Sequence, residues 1–161
     1  MLDQNGNDDD TKIAKVFGKL MALLSVRDRS VHEARCRLQK SAYQQSVIDE
    51  VLQRAISSGL LDDQRFAADY INSKLRSGWG SLRIEQELKR FGIDCARLPD
   101  YPDAYFDERR QINRAIAALS RHRSHARNQY QAKYRYLAQK GYPPDIVAAA
   151  LQDDGLADTP S

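Results

Sequence analysis

Apolar residues recur along this chain at intervals of three and four positions, with polar and charged residues between them. The clearest run consists of Phe66, Tyr70, Ile71 and Leu75. This spacing places the apolar side chains on one face of an α-helix, whereas a half-exposed strand would alternate apolar and polar residues. A second run follows, formed by Leu82, Ile84 and Leu88. The pattern predicts an all-α protein.

Short polar residues, glycines and prolines mark the ends of these helices. Asp62 is placed to cap a helix N-terminus, with Asp63 in the first turn, where a carboxylate meets unpaired backbone N–H groups. The sequence Gly78-Trp79-Gly80 ends that helix, and Gly92 suits the left-handed cap at the end of the next one. Further start signals are a capping box from Ser30 to Glu33, Ser46 as a cap, and the pair Pro143-Pro144.

The chain repeats itself with a period of roughly 50 residues. The matched sets are Leu38, Ala42, Tyr43, Ile48; then Leu88, Gly92, Ile93, Leu98; then Leu137, Gly141, Tyr142, Val147. The match holds across a helix, a turn and the next helix, which distinguishes it from an accidental self-match. Each repeat is predicted to contain three helices that cannot bury their apolar face alone. Tandem three-helix repeats are therefore expected to stack into an elongated solenoid.

The predicted boundaries follow from these signals. An acidic disordered tail is expected over 1–10, three-helix repeats over 11–60, 61–105 and 106–153, and a flexible C-terminal tail over 154–161. Helices are expected near 11–26, 30–41 and 46–58 in the first repeat, and near 108–122, 125–140 and 144–153 in the last. The third helix of the middle repeat, near 94–100, should be short because Pro99 and Pro102 interrupt it.

Composition is that of a helical protein with much exposed surface: 29% of the 161 residues are charged and 42% are hydrophobic. No apolar run approaches the ~20 residues that cross a bilayer. The Asp-rich N-terminus is the opposite of a signal peptide, so a cytoplasmic location without membrane contact is expected. Cys36 and Cys95 have no second cysteine at metal or redox spacing, and are expected to be small buried side chains in a reducing compartment.

The net charge of +3 conceals an uneven distribution. The stretch 109–144 contains no Asp or Glu and nine basic residues: Arg109, Arg110, Arg114, Arg121, Arg123, Arg127, Lys133, Arg135 and Lys140. A smaller basic set in the first repeat comprises Arg27, Arg29, Arg35, Arg37 and Lys40. Solvated helix faces usually mix both signs, so a stretch without acids indicates contact with a polyanion or an acidic protein surface.

The sequence does not indicate a catalytic site or a metal site. His122 and His125 lack a third ligand nearby, and the adjacent carboxylates of Asp62 and Asp63 are explained by capping. The Gly78-Trp79-Gly80 turn lacks the strand and the Lys-Ser/Thr pair of a phosphate loop. No nucleophilic triad can be argued from spacing, so no enzyme activity and no cofactor are expected.

Aromatic residues crowd the basic third repeat, at Tyr130, Tyr134, Tyr136 and Tyr142. Aromatic side chains among arginines can stack on unpaired bases. They can equally fill the core of a repeat that is short of Leu and Ile, which is the interpretation favoured for at least two of them. Trp79 is expected to be a packing residue of its turn.

The middle repeat carries the most specific motif: Asp62, Asp63, Arg65, Phe66 and Ala67, then Tyr70, Gly78, Gly80, Arg83, Ile84, Glu87, Leu88, Gly92 and Ile93. This segment closely resembles the signature of the RecX regulatory proteins of bacteria, and the resemblance extends over roughly 14–152. In the outer repeats it includes Arg29-Ser30, Arg35 with Leu38, and Leu137 with Lys140-Gly141-Tyr142. The signature positions are interpreted mainly as fold determinants.

The resemblance implies a curved, elongated protein of tandem repeats that binds filaments of the RecA recombinase and inhibits its ATP hydrolysis and strand exchange. It thereby implies a role in homologous recombination, DNA repair and the SOS response, with some binding to single- or double-stranded DNA. A monomer without a cofactor is expected. The first repeat departs from the family at Ala34 and Ser41-Ala42, where leucine and glycine are common, and Ser81 stands where proline is frequent.

Two alternatives stay open from sequence. One is a DNA-binding helical module, such as a transcriptional regulator, although no helix shows a compact recognition face after a tight turn. The other is a scaffold that binds only protein, for which the arginines at 121, 123 and 127 would be irrelevant to DNA affinity.

Overall fold

The computed structural model describes residues 4–155, and these contain helices but no strand, which confirms the all-α prediction. The helices are α1 Gln4–Val26, α2 Val31–Gln39, α3 Gln45–Ser57, α4 Asp63–Arg76, α5 Ser81–Arg90, α6 Asp103–Phe106, α7 Glu108–Arg121, α8 Gln129–Lys140 and α9 Pro144–Asp153. A 3₁₀ turn, Cys95–Arg97, stands where the third helix of the middle repeat was expected near 94–100, and the short α6 follows it. No helix within residues 4–155 combines the length and apolar character needed to cross a bilayer.

The chain divides into two compact units that do not coincide with the repeats. Within the described residues, the first unit comprises residues 4–67 together with Phe91–Ile93, and the second comprises residues 68–90 together with 94–155. Helix α4 begins in the first unit and ends in the second. Each unit has its own hydrophobic core.

In the first unit, α1 and α2 pack against α3. The apolar faces of the three helices meet in a core that includes Val16, Leu20, Leu38, Ile48 and Leu52, each at most 1% exposed. Val16 and Leu20 are four residues apart in α1, as are Ile48 and Leu52 in α3, which places each pair on one face of its helix. Burial of each of these large side chains stabilises the fold by about 1.5–3 kcal/mol relative to leaving it in water.

The N-terminus of α3 differs from the prediction. The cap position is Gln44, whose extended backbone lets its carbonyl accept from the N–H groups of Val47 and Ile48, and its side chain makes no capping bond. Ser46 lies inside the first turn and is not the cap. In contrast, Ser30 caps α2 as predicted, because its hydroxyl oxygen accepts the N–H of Glu33 at 3.1 Å.

The first helix begins earlier than expected. Residues 4–10, assigned from sequence to a disordered tail, are the first turns of α1. An ion pair at 2.6 Å between Lys12 and Asp8, one helical turn earlier, supports these turns weakly, with Asp9 at 3.8 Å from the same ammonium group. Residues 1–3 of that tail, and residues 156–161 of the C-terminal tail, lie outside the described part of the chain.

In the second unit, α7 and α8 pack against α9. The core includes Leu119, Leu137, Ile146 and Leu151, and alanines such as Ala115 let the helix backbones approach closely. Helix α9 begins at Pro144 as predicted, since proline suits the first helical position. Helix α8 begins at Gln129 rather than near 125, because the Asn128 side chain accepts the N–H of Gln131 at 3.0 Å and caps the helix there.

In both units, a hydrogen bond joins the start of the second helix of one repeat to the turn after the second helix of the next repeat. In the second unit, the N–H of Gly80 donates to the carbonyl of Lys140 at 2.8 Å, and the N–H of Leu82 donates to Gly141 at 2.9 Å. In the first unit, the Ser30 hydroxyl donates to the carbonyl of Phe91 at 2.8 Å. The positions correspond under the repeat, so the period seen in sequence is also a period in packing.

Glycine is required at these turns for two reasons. Gly141 has a φ of +94°, and a β-carbon there would lie 2.3 Å from the β-carbon of Arg83. Gly92, its counterpart in the first unit, has a φ of +74°, and a β-carbon would lie 2.6 Å from that of His32. The corresponding Ala42 of the first repeat is exposed and does not have a positive φ, so this position does not require glycine.

Candidate polyanion-binding surface

Helix α7 separates its arginines from the core. At 100° per residue, Arg110, Arg114 and Arg121 fall within about 40° of one another, on a different side from buried Ala115 and Leu119. Arg109, Arg110 and Arg121 are exposed, and none of the three makes a side-chain hydrogen bond or ion pair with a described residue.

The connection after α7 and helix α8 continue this exposed basic region. Arg123 and Arg127 lie in the non-helical segment between the two helices, and Arg135 lies on α8; all three are exposed. Their guanidinium groups have no partner among residues 4–155. We define the basic surface as the exposed arginines of the second unit that share these properties: Arg109, Arg110, Arg121, Arg123, Arg127 and Arg135.

Three other predicted contacts in this stretch are already engaged within the second unit. Arg114 donates to the carbonyl of Tyr105 at 3.2 Å. Lys133 forms an ion pair at 2.7 Å with Asp154. Lys140 is half-buried, with its ammonium nitrogen 5.7 Å from the centroid of the Tyr136 ring. These side chains are less available to a ligand than the basic surface.

The basic residues predicted as contacts in the first unit differ in how far they are buried. Arg29, proposed from sequence as a contact residue, is only 9% exposed, and its Nε donates to the carbonyl of Leu23 at 3.4 Å. Burial lowers the pKa of its guanidinium, and the neighbouring charge of Arg27 acts in the same direction. Arg29 is 3.5 Å from Glu33 and belongs to the fold rather than to an open surface.

The remaining members of this set are more accessible. Arg35 pairs with Asp49, whose pKa is lowered by the hydrogen bond from Arg35. Arg37 and Lys40 are exposed and have no side-chain partner within residues 4–155. The first unit therefore presents two unpaired cations of the predicted set, against six in the basic surface.

The signature residues around the start of α4 have structural contacts. Asp62 caps the helix, its carboxylate accepting the N–H groups of Gln64 at 3.0 Å and Arg65 at 3.1 Å. Asp63 accepts the N–H of Val31 at 2.9 Å, so it also caps the start of α2. Burial raises the pKa of Asp63. This second capping role was not predicted, since it joins residues 32 positions apart.

Other signature residues also support the fold. The Arg65 guanidinium donates to the carbonyl of Gly59 at 3.1 Å, and the rings of Phe66 and Phe91 meet edge to face at 5.3 Å. In the second unit, two cations contact Trp79: the Arg83 guanidinium is 3.7 Å from the indole ring centroid, and the Lys74 ammonium is 4.5 Å from it. These contacts agree with the interpretation of Trp79 as a packing residue.

The four tyrosines of the third repeat have different environments. Tyr142 is 2% exposed, and its hydroxyl donates to the carbonyl of Gly78 at 3.1 Å. Tyr136 stacks on His122, with ring centroids 3.9 Å apart. Tyr130 and Tyr134 are partly exposed and border a shallow depression of about 610 Å³. Two tyrosines thus fill structural positions and two face an open groove.

The cysteines and histidines form no metal centre within the described residues, where no cluster of three or more potential ligands occurs. Cys36 is exposed, contrary to the prediction that it is buried, and its sulfur lies 3.6 Å from Nε2 of His32. Cys95 is half-buried, and burial raises the pKa of its thiol to about 11. The exposed position of Cys36 follows from its place on the outer face of α2, opposite buried Ala34 and Leu38.

Comparison with known proteins connects these features to one family. The sequence profile described as "RecX, first three-helix domain" matches residues 17–54, and the profile described as "RecX, second three-helix domain" matches residues 62–96. The crystal structure of RecX from Lactobacillus salivarius superposes with a TM-score of 0.76 at 21% identity, covering 92% of this chain and 99% of that one. A second RecX crystal structure gives a TM-score of 0.77 at 22% identity, covering 91% and 77%. These structures support the helical-repeat fold.

Curated relatives extend the match beyond the first two repeats. The regulatory protein RecX of Geobacillus kaustophilus is 32% identical over 149 residues, which are 89% of this chain but 55% of that protein, so this chain spans about half of that relative's length. The RecX of Vibrio cholerae is 30% identical over 134 residues, covering 82% of this chain and 88% of that protein. With that identity across most of both sequences, and two RecX domain profiles matching in order, the chain belongs to the RecX family of regulatory proteins.

Proposed function

We propose that this protein binds filaments of the RecA recombinase and the DNA within them, and that it thereby inhibits ATP hydrolysis and strand exchange. Membership in the RecX family supports the regulatory role. The observation that carries the DNA contact is the basic surface: six exposed arginines of the second unit without an ion-pair partner in residues 4–155.

The chemistry of these arginines favours a polyanion. Each guanidinium presents several N–H donors in a plane that matches two phosphate oxygens. Neutralising backbone phosphates releases condensed counterions, so binding through this surface should weaken steeply as salt rises. Four of its six arginines lie on α7 and α8, which are anchored in one core, and Arg123 and Arg127 lie in the segment between these helices.

The inhibitory action requires only contacts. A protein of tandem repeats presents contact surfaces at regular intervals along its sequence and can touch several neighbouring subunits of a filament at once, so individually weak contacts add through avidity. We infer that the protein lies across adjacent recombinase subunits, holds DNA through the basic surface, and blocks the change of filament state that exchange requires. It acts as a monomer and needs no cofactor or catalytic residue of its own.

The direct test is the DNA-dependent ATP hydrolysis of RecA on single-stranded DNA at two salt concentrations. Inhibition is expected below one molecule of this protein per recombinase subunit, and the higher salt should reduce it. The variant Arg110→Glu/Arg121→Glu should inhibit less. The control Arg54→Glu/Arg97→Glu changes net charge equally at exposed arginines that already pair with acids, and should inhibit as the wild type does.

The outcomes separate this proposal from the alternatives. Absence of inhibition by folded protein in stoichiometric excess would refute filament regulation and leave a DNA-binding module. Undiminished inhibition and DNA affinity in the Arg110→Glu/Arg121→Glu variant would indicate a scaffold that binds only protein. A transcriptional regulator would instead show affinity for one duplex sequence far above its affinity for others, by a factor on the order of 10³ or more.

A further inference from the structure

Two tyrosines on α8 have ring faces that the fold does not fully use. Tyr130 and Tyr134 are one helical turn apart and pack one side against the core of the second unit. Their other side borders the open depression of about 610 Å³, together with Gln131, Arg135 and Ala138. Neither hydroxyl makes a hydrogen bond with a described residue.

The other tyrosines of the same repeat show what a purely structural role looks like. The Tyr142 ring is enclosed and its hydroxyl is bonded to a backbone carbonyl. The Tyr136 ring face is covered by the His122 imidazole at 3.9 Å, with an interplanar angle of 14°. Tyr130 and Tyr134 have neither a hydrogen-bonded hydroxyl nor a stacked partner of this kind, so core filling alone does not account for both sides of their rings.

The geometry of the pair suits flat aromatic ligands. The ring centroids are 6.4 Å apart and the planes are inclined by 31°. This separation is close to twice the ~3.4 Å rise between stacked bases. This spacing leaves room for one base on each ring without a change in the helix.

The charges around the depression select the class of ligand. Arg135 borders it directly, and Arg127 lies two residues before the start of α8; both belong to the basic surface. The sequence from 109 to 144 contributes no carboxylate. An aromatic groove beside unpaired guanidinium groups is complementary to a ligand that has both phosphates and accessible base faces.

We propose that Tyr130 and Tyr134 stack on unpaired bases and thereby make the basic surface selective for single-stranded over double-stranded DNA. The proposal rests on the function proposed above and adds to it the residues that discriminate between the two forms. In a duplex the base faces are covered by neighbouring base pairs, so only the phosphates reach the surface. In a single strand the bases turn outward and both contacts form together.

The test compares binding of a fluorescein-labelled oligothymidylate and a labelled duplex of equal length by anisotropy over a series of salt concentrations. Tyr130→Leu/Tyr134→Leu keeps apolar bulk against the core but removes the aromatic faces. Tyr130→Phe/Tyr134→Phe keeps the faces. Tyr43→Leu, at a partly buried tyrosine of the first unit, is the matched control.

Because stacking contributes ~1–3 kcal/mol per base, the leucine variant should bind the single strand about tenfold or more weakly, with less than a twofold change for the duplex. The phenylalanine variant and Tyr43→Leu should bind both DNAs as the wild type does. The salt dependence should be unchanged in all variants, since the phosphate contacts remain.

Three outcomes would overturn the inference: an equal loss for single strand and duplex, no loss for either, or retained DNA binding with lost inhibition of RecA. The last would assign the groove to a protein partner. If the wild type bound neither DNA, the basic surface itself would be refuted, which is a separate failure.

A second measurement on the wild-type protein needs no substitution. Photo-crosslinking to a single strand containing 5-iodouridine should attach the base to the peptide that contains Tyr130 or Tyr134. Cross-links found only in other peptides would overturn the inference even if the leucine variant failed to fold.

Discussion

Replacing Gly141 with alanine tests whether the contact between repeats is set by backbone proximity. The residue has a φ of +94°, and an added β-carbon would lie 2.3 Å from the β-carbon and 2.6 Å from the backbone nitrogen of Arg83. Ordinary contact requires about 3.5 Å or more, so one backbone segment must move by about 1 Å. That movement would also strain the bond from the N–H of Leu82 to the carbonyl of Gly141.

The destabilisation expected for Gly141→Ala has two parts, which a control variant can separate. A left-handed backbone costs a non-glycine residue about 1–2 kcal/mol. Overpacking adds about 1–3 kcal/mol, so Gly141→Ala should destabilise the second unit by about 2–5 kcal/mol. The control is Gly78→Ala in the same unit: its φ is +81°, but the nearest atom to a new β-carbon is 4.0 Å away. Gly78→Ala should therefore be destabilised only by the cost of the left-handed backbone, about 1–2 kcal/mol.

The assay is urea unfolding followed by the fluorescence of Trp79, which is the single tryptophan of the chain and lies in the second unit. The indole sits 3.7 Å from the Arg83 guanidinium, so its signal reports on the contact under test. The expected difference between Gly141→Ala and Gly78→Ala is at least about 1 kcal/mol. Equal destabilisation by the two substitutions would refute the argument that backbone proximity requires glycine at the repeat contact.

Three further predictions concern capping, ionisation and thiol reactivity. Asp62→Ala should lower the free energy of unfolding by ~1 kcal/mol, because two N–H groups lose their acceptor. The control Ser46→Ala should change it by less than about 0.5 kcal/mol, since Ser46 is not a cap. A wild-type urea midpoint for Asp62→Ala would contradict the assignment of Asp62 as the cap. Burial raises the pKa of Tyr142 from 10.0 to about 12. The folded state therefore keeps the phenol neutral, and this contributes to stability in full below pH 10. The contribution is lost as the pH rises toward 12. The free energy of unfolding should therefore fall by up to about 2–3 kcal/mol more in the wild type than in Tyr142→Phe between pH 9 and pH 12, and parallel curves for the two proteins would exclude this cause. At pH 8 a maleimide should modify Cys36 well before Cys95, which is half-buried and has a thiol pKa raised to about 11; equal labelling rates by mass spectrometry would contradict the burial of Cys95.

The comparison of sequence with structure shows that local features were predictable. The apolar spacing from Phe66 to Leu75 predicted α4, Asp62 predicted its N-terminus, and Gly92 predicted the left-handed cap after α5. These features depend on bonds and contacts within about four residues, so a single sequence contains the information. Two boundaries were wrong: α3 begins after Gln44, which makes no side-chain capping bond, and α8 begins after Asn128, whose side chain caps it.

Most helices, the repeat and the concentration of positive charge between 109 and 144 can be read from the sequence alone. Tertiary structure decided which of those charges are available: Arg29 is buried against Leu23, while Arg37, eight residues later, is exposed. It also decided that Asp63 caps a helix 32 residues earlier in the chain. Whether a side chain is solvated, paired or enclosed depends on groups brought near it from distant positions, and helical periodicity does not encode that proximity.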